Sequence, residues 1–355
     1  MKRCIALCLA ALAAAGALTA CGGEPREEGI LATASGMEPE AVALSVDGRD
    51  VPAWQALYWL AYTCDYLAAG YDGGAVRWED TVDGADLETC AREQAVRNAA
   101  LYATVENWAE DFGCSLTEED RTAGKQEWAA RAAQYGGEDA YLAELARMGL
   151  DRDRAETLSR DYYLYRHLYD LFRTEGSSLY PETEDLETFA REQGYLTVDH
   201  IWISTAAADP ADADAVAACR ARAEEAFSKL NGSADPANDF AVLAATYSDE
   251  TDRDQHPDGY TFALGDGTLP DTCEEAASAL EEGQWSGVVE AGDGFYLLFR
   301  RSTDLDAVAP DYFDAMLQAA ADSAEVSLTR AFSELDVSRF YERLTEARAE
   351  LAEAG

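Results

Sequence analysis

Two short apolar runs constrain this chain more than any other feature it has. Val198-Asp199-His200-Ile201-Trp202-Ile203 and Gly294-Phe295-Tyr296-Leu297-Leu298-Phe299 are rich in aromatic and branched residues and read as strands. Helical segments and a Gly/Asp-rich loop lie between them, and long helical segments flank the stretch from Tyr195 to Arg301 on both sides. The pattern implies an α+β chain in which a small sheet unit is enclosed, in sequence, by helices.

The chain has 355 residues, enough for two or three domains that each bury a core. A hydrophobic content of 48% excludes wholesale disorder, and a formal charge of -42 argues against nucleic acid as a partner, because a phosphate-binding surface needs Lys and Arg to release counterions. The same charge is otherwise that of a solvated acidic surface.

Residues 1 to 20 read as a targeting segment outside the fold. Lys2 and Arg3 form a positive n-region, Ile5 to Gly16 an apolar stretch too short to span a bilayer, and Leu18-Thr19-Ala20-Cys21 follows. That tetrapeptide resembles the lipobox of bacterial lipoproteins, which implies lipidation at Cys21 and a lipid anchor on the extracytoplasmic face of the cell membrane. A plain secretory signal with an incidental cysteine is the alternative. Residues 21 to 40, rich in Glu, Gly, Pro and Ser, are expected to form a flexible tether. Cys64, Cys90, Cys114, Cys219 and Cys273 remain beyond it. Their odd number and lack of a C-x-x-C spacing point to free, buried cysteines, with a Cys64–Cys90 or Cys90–Cys114 bridge still open.

From residue 41 the pattern is a strand through Val46, an Asp47-Gly48 turn, and Pro52 at the start of a helix. Trp54, Leu57, Tyr58, Ala61, Cys64 and Ala68 then recur at helical steps. A polar loop over 72–84 leads to a helix over 86–112, and Thr117-Glu118-Glu119-Asp120 resembles a capping box opening the next. In the helix over 152–173, Leu158, Tyr162, Tyr165, Tyr169 and Phe172 form an aromatic stripe. Core packing is the plain reading of that stripe; an aromatic cradle for unfolded peptide is the other. His167 reads as a packing residue. Near the C-terminus, Val326-Ser327-Leu328 is a candidate strand able to pair with the one near residue 42, which would make the central unit an insertion.

Within the central unit the order is a strand with His200, helices over 212–230 and 240–249, an Asp258-Gly259-Tyr260-Thr261-Phe262 loop, a helix over 274–280, and a Gly283-Gln284-Trp285-Ser286-Gly287-Val288 turn into the closing hairpin. Together with the Phe240-to-Asp249 block, this order resembles the parvulin family of peptidyl-prolyl isomerases. The start of the chain body resembles SurA-like and PrsA-like chaperones. The resemblance implies a helical SurA-like chaperone domain made of 41–194 and 303–355, with a parvulin-like domain, a small antiparallel sheet with flanking helices, inserted at 195–302. It further implies a membrane-anchored foldase that isomerises X-Pro bonds of unfolded or partly folded secreted proteins, with no cofactor. A non-catalytic holdase using a degenerate parvulin domain for peptide binding is the alternative.

Carried over position by position, the resemblance makes His200 the first histidine of a paired network, with Asp249 and Glu250 as its acidic neighbours. Phe262, Leu269 and Cys273 become the proline pocket. Tyr296 stands where the second histidine is expected, and a phenol cannot reproduce two ring nitrogens. The run Asp249-Glu250-Thr251-Asp252 lacks the glycine and distal glutamate of a calcium loop, and the three histidines have no zinc spacing, so no metal is expected.

Overall fold

The computed structural model describes residues 29–71, 75–206 and 213–354. They fold as two compact units, one built from the chain up to Tyr180 and again from Phe313, the other from Pro181 to Tyr312.

The first unit opens with helix α1 (Gly29–Ser35), which buries Ile30, Leu31, Ala32 and Ala34. The expected tether therefore does not reach residue 40. Three consecutive apolar residues are too few to give a helical period, but they suffice to dock one turn. Gly149 gives Leu31 its seat: at φ 81° it adopts a left-handed backbone, and a Cβ there would lie 2.3 Å from Leu31 Cγ. Strands β1 (Val42–Val46) and β2 (Arg49–Pro52) form a hairpin through Asp47 and Gly48, both at positive φ, as a two-residue turn matching the strand twist requires. Helix α2 (Ala53–Ala69) is buried along most of its length, with Trp59, Leu57 and Leu60 at its centre.

A second Asp-Gly turn, Asp83-Gly84, joins β3 (Thr81–Val82) to β4 (Ala85–Asp86) inside the stretch expected to be loop. Strands of two residues are too short for any alternation to show. Asp86 caps α3 (Leu87–Asp111) by accepting from Thr89 N at 2.8 Å. Helix α4 (Glu118–Gln134) has the full capping box between Thr117 and Asp120, and α5 (Glu138–Arg147) and α6 (Arg152–Phe172) follow.

The second unit contains α7 (Thr183–Gln193), β5 (Tyr195–Ser204), α8 (Ala213–Leu230), α9 (Pro236–Tyr247), β6 (Tyr260–Ala263), α10 (Asp271–Ser278), β7 (Val289–Ala291) and β8 (Gly294–Arg301). Its sheet is antiparallel in the order β6-β5-β8-β7. The unit begins before α7, where the sequence reading placed the boundary after it. The reason is local: the Phe189 ring packs on Tyr195 and Tyr312 at 6.1 and 5.2 Å, and the Tyr195 hydroxyl donates to Asp311.

The chain continues through α11 (Leu305–Ser323), in which the division between units falls, to β9 (Val326–Leu328), α12 (Arg330–Ser333) and α13 (Val337–Ala354). β9 pairs antiparallel with β1, Leu44 opposite Leu328 and Val46 opposite Val326, so the first unit is closed by both ends of the described chain. Helix α13 is tied down by Arg348, whose guanidinium reaches both oxygens of Asp65 at 2.7 and 2.9 Å and the Arg147 carbonyl at 2.9 Å, while Tyr341 donates to the same carboxylate.

The aromatic stripe of α6 is largely core. Phe172 is buried, and Tyr165, Tyr169 and Phe172 hold the fully buried Phe313 ring at 5.4, 5.4 and 5.1 Å, whereas Tyr162 is exposed. Cys64 and Cys273 are buried, Cys90, Cys114 and Cys219 half-buried, and all five thiols are free. Truncating Phe313 to Ala is expected to destabilise the first unit by about 3–5 kcal/mol through lost contact and the cavity left behind. Urea unfolding followed by far-UV dichroism checks this; a loss below 1 kcal/mol, the usual range for an exposed site, would show that the ring is not core.

Candidate functional site

The alternation of β5 sorts its side chains onto two faces. Leu196 and Val198 join Phe262, Leu269, Cys273, Ala277, Tyr296 and Leu298 in one apolar cluster under α10, with Trp202 packed against it. Ile201 and Ile203 join Phe295, Leu297 and Phe299 in another, under α8 and α9. By the two-residue period of a strand, His200 belongs with the first set. The register of β5 with β8 puts Trp202 opposite Tyr296 and His200 opposite Leu298.

β6 pairs with β5 only as far as Val198 opposite Tyr260. Beyond that point the edge of β5 is covered by the segment after α9. Asp249 N donates to Trp202 O at 2.7 Å, Trp202 N to Ser248 Oγ at 3.0 Å, and Ser204 N to Asp249 Oδ2 at 3.0 Å. Asp249 also receives Arg222 at 3.1 Å. Its carboxylate is thus occupied by the strand edge and a guanidinium, and it holds the loop against β5.

Glu250, the next residue, does face it. His200 Nε2 lies 3.1 Å from Glu250 Oε2, and the imidazole is buried. Burial pulls the imidazole pKa below its ordinary value, and the hydrogen bond to Glu250 opposes this without reversing it. The ring is therefore neutral near pH 7, and the nitrogen bonded to a carboxylate has to carry the proton. His200 donates from Nε2 to Glu250, leaving Nδ1 as a buried acceptor with no partner.

Tyr260 and Tyr296 flank the imidazole with ring centroids at 4.6 and 5.8 Å. Each phenol is held by one carboxylate at 2.8 Å, Tyr260 by Asp252 and Tyr296 by Asp293. Burial, then the adjacent carboxylate, drive both phenol pKa values upward, so both hydroxyls stay protonated donors. Tyr296 also stacks on Trp202 at 6.3 Å and 23°, and His256 stacks on Tyr260 at 4.2 Å. The Cys273 thiol is pushed up to about 12 by burial and acts as a small apolar group.

His200, Glu250, Tyr296, Phe262, Leu269 and Cys273 are thus brought to one face of one sheet. Tyr260, Asp252 and Asp293 complete the constellation without having been assigned roles from the sequence. The signal for Tyr260 was its place between the Asp258-Gly259 turn and Phe262, where strand alternation sets it on the opposite parity from Thr261. Cys21 lies outside the described residues. The acidic run is split among separate partners, Asp249 going to Arg222, Glu250 to His200 and Asp252 to Tyr260.

The three carboxylates of the site, Glu250, Asp252 and Asp293, are each engaged by one ring donor. It offers a neutral imidazole and two protonated phenols, their hydrogens given to carboxylates, beside an apolar cluster.

Residues 200–301 match the Rotamase family, a PPIC-type PPIASE domain. Fold and site therefore define a parvulin-type domain within a mostly helical chain. Among solved structures the chain is similar to the foldase protein PrsA of Streptococcus pneumoniae, at 18% identity over 75% of this chain and 92% of that one, with a TM-score of 0.23. It is also similar to PrsA of Bacillus subtilis, at 15% identity over 79% and 93%, with a TM-score of 0.25. A structure from the study of the Campylobacter jejuni SurA-like chaperones PEB4 and Cj1289 matches at 13% identity over 89% and 98%, with a TM-score of 0.24. No curated protein sequence matches the chain. The domain assignment rests on residues 200–301.

The depressed His200 pKa fixes the sign of a pH effect. The unfolded chain takes up a proton near its ordinary pKa of about 6.5 while the folded unit resists it, so the stabilisation is present above that value and is lost as pH falls below it. The second unit is expected to unfold at lower urea at pH 5.5 than at pH 7.5, and His200→Gln to flatten that difference. Equal pH dependence in both proteins would show that the imidazole is not the titrating group.

Proposed function

We propose that this chain is a membrane-anchored extracytoplasmic foldase whose parvulin-type domain binds X-Pro segments of unfolded secreted proteins and accelerates their cis/trans rotation, while the helical unit holds the client. The observation that carries this reading is the convergence of His200, Glu250, Tyr260 and Tyr296 beside Phe262, Leu269 and Cys273.

Rotation about X-Pro faces a barrier of about 18–20 kcal/mol and needs no bond to be broken. A ten-thousandfold acceleration asks for only about 5–6 kcal/mol of preferential binding to the twisted amide. Twisting removes the amide resonance and with it charge separation, so a dry apolar wall favours the twisted form over the planar one. Phe262, Leu269 and Cys273 would supply that wall for the proline ring. The phenols of Tyr260 and Tyr296 give their single hydrogens to Asp252 and Asp293, so toward a client they would present ring surface and oxygen lone pairs and not a donor. The neutral His200, fixed by Glu250, keeps a formal charge away from the ring.

One observation favours the second reading, peptide holding without turnover. Phe262, Leu269, Cys273 and Tyr296 are 1%, 6%, 0% and 5% exposed, so little of the wall is open to a proline ring before something moves. Tyr296, tied to Asp293, is the residue that fills the position expected of a histidine. A proline-limited refolding assay separates the two: wild type is expected to accelerate the slow phase, and His200→Ala to reduce the acceleration about tenfold, the range of a positioned polar group. Tyr296→His is expected to raise it. A wild type indistinguishable from buffer would leave holding as the role of the domain.

The anchor part of the proposal is supported by the Leu18-Thr19-Ala20-Cys21 sequence. With Cys21 lipidated, the protein is expected to fractionate with membranes and Cys21→Ala to release it; a variant that stays with the membrane fraction would argue against thioether lipidation.

A further inference from the structure

Within the second unit a cavity of about 470 Å³ lies between α9 and the segment from Arg253 to Tyr260, beside β5. Its lining places it on the sheet. Asp199 and Phe299, opposite each other in the β5–β8 ladder, belong to the face under α8 and α9, whereas His200 and Tyr260 belong to the other. Side chains of opposite faces line one cavity where a sheet has an edge.

β5 has such an edge at His200. Trp202 N donates to Ser248 Oγ and Trp202 O accepts from Asp249 N, so the main-chain groups of Trp202 point away from β8. The register of β5 with β8 is continuous from Thr197 to Ser204, and the direction of main-chain groups repeats every two residues, so Val198 and His200 point the same way as Trp202. Val198 is met by Tyr260, in the last pair of β5 with β6, and Trp202 by the segment after α9. Gly259 ends the ladder between them: at φ 91° the chain turns off, and its N–H donates to His256 O at 3.1 Å. Among the described residues, none across this edge takes the N–H or the C=O of His200.

The walls leave room beside that gap. α9 lines it with Ala237, Ala241 and Ala244, at steps of four and three, together with Phe240. The charges around it answer one another. Arg301 lies 3.6 Å from Asp199 and donates to Pro257 O at 3.1 Å, Arg253 lies 3.6 Å from Asp254, and His256 stacks on Tyr260. The lining therefore favours neither sign of charge. The imidazole of His200 is buried and bonded to Glu250, so what this residue has for the cavity is its main chain.

We propose that the cavity is a docking subsite for an extended segment of an unfolded polypeptide, one residue of which pairs with His200 main chain to main chain. The client N–H donates to His200 O and the client C=O accepts from His200 N–H, which continues the edge of β5 from Tyr260 to Asp249. This is strand addition reduced to one residue pair, read through the main chain and tolerant of side-chain identity. A helix or a folded sheet has its own main-chain groups already paired and has none to give this edge. Proline has no N–H, so the residue docked here is a neighbour of the client proline and not the proline itself. The volume is within the roughly 300–1,000 Å³ of a ligand site. The subsite rests on the client-binding role proposed for the parvulin-type domain and adds to it the part of the client that is gripped.

The test reads the main chain of His200 directly. Histidine occurs at positions 167, 200 and 256, so the whole chain carrying isotopically labelled histidine gives one backbone amide signal for each, and His200→Gln identifies its own by the signal that disappears. The probe is the proline-free peptide Ser-Thr-Val-Thr-Val-Ser, capped at both ends. Adding it is expected to move the His200 amide proton downfield and to slow its exchange with solvent, while the signal of His167, in the first unit, stays in place. N-methylating the four central residues of the peptide removes their N–H groups and is expected to weaken binding about tenfold. Ala241→Phe, at an exposed helix position, fills the cavity and is expected to abolish the His200 shift. A His200 amide that stays in place up to about 5 mM peptide, equal binding of the N-methylated peptide, or a shift that survives Ala241→Phe would each overturn the proposal. Because the probe has no proline, none of these outcomes bears on the refolding assay.

Discussion

The ladder between β5 and β8 is the interaction on which the second unit depends. Eight residue pairs, from Thr197 opposite Arg301 to Ser204 opposite Gly294, join two strands separated in sequence by three helices and two other strands. Closing so long a loop costs chain entropy that only long-range burial offsets. The offset is visible in the two clusters the ladder creates, one on each face of the sheet. Because the side-chain period is two, a slip of one residue would exchange the faces and turn His200 away from Tyr296. Gly294 helps to hold the register: at φ 156° its missing Cβ lets Ile203 O approach, since a Cβ there would lie 2.2 Å from that oxygen.

Much of this was legible because the residues concerned follow simple periods. The alternation of β5 and β8, the Asp47-Gly48 turn, the Thr117 capping box and the pairing of the residue 42 strand with Val326–Leu328 all follow from local patterns, and the structure contains each of them. What escaped had no period to show. Helix α1 rests on a few apolar residues fitted against Gly149, and the Thr81–Ala85 hairpin has two-residue strands. The division before α7 depends on a single ring, Phe189, choosing Tyr195 and Tyr312 as neighbours.

The site divides in the same way. The resemblance of the ordered motifs grouped His200, Tyr296, Phe262, Leu269 and Cys273, and the register of β5 with β8 sets His200 and Tyr296 on one face. The identity of the acid facing His200 could not be read from the sequence, because Asp249 and Glu250 are adjacent and point in different directions in an extended segment. The choice is made by Ser204 N and Arg222, which take Asp249 and leave Glu250 for the imidazole. Tyr260 was likewise hidden, since its role depends on Asp252 arriving from a loop.

Around His200 every ring is held by a carboxylate, and the ring titrations are moved away from neutrality, the imidazole downward and the two phenols upward. The three rings stay uncharged, and the formal charges sit on the carboxylates that hold them.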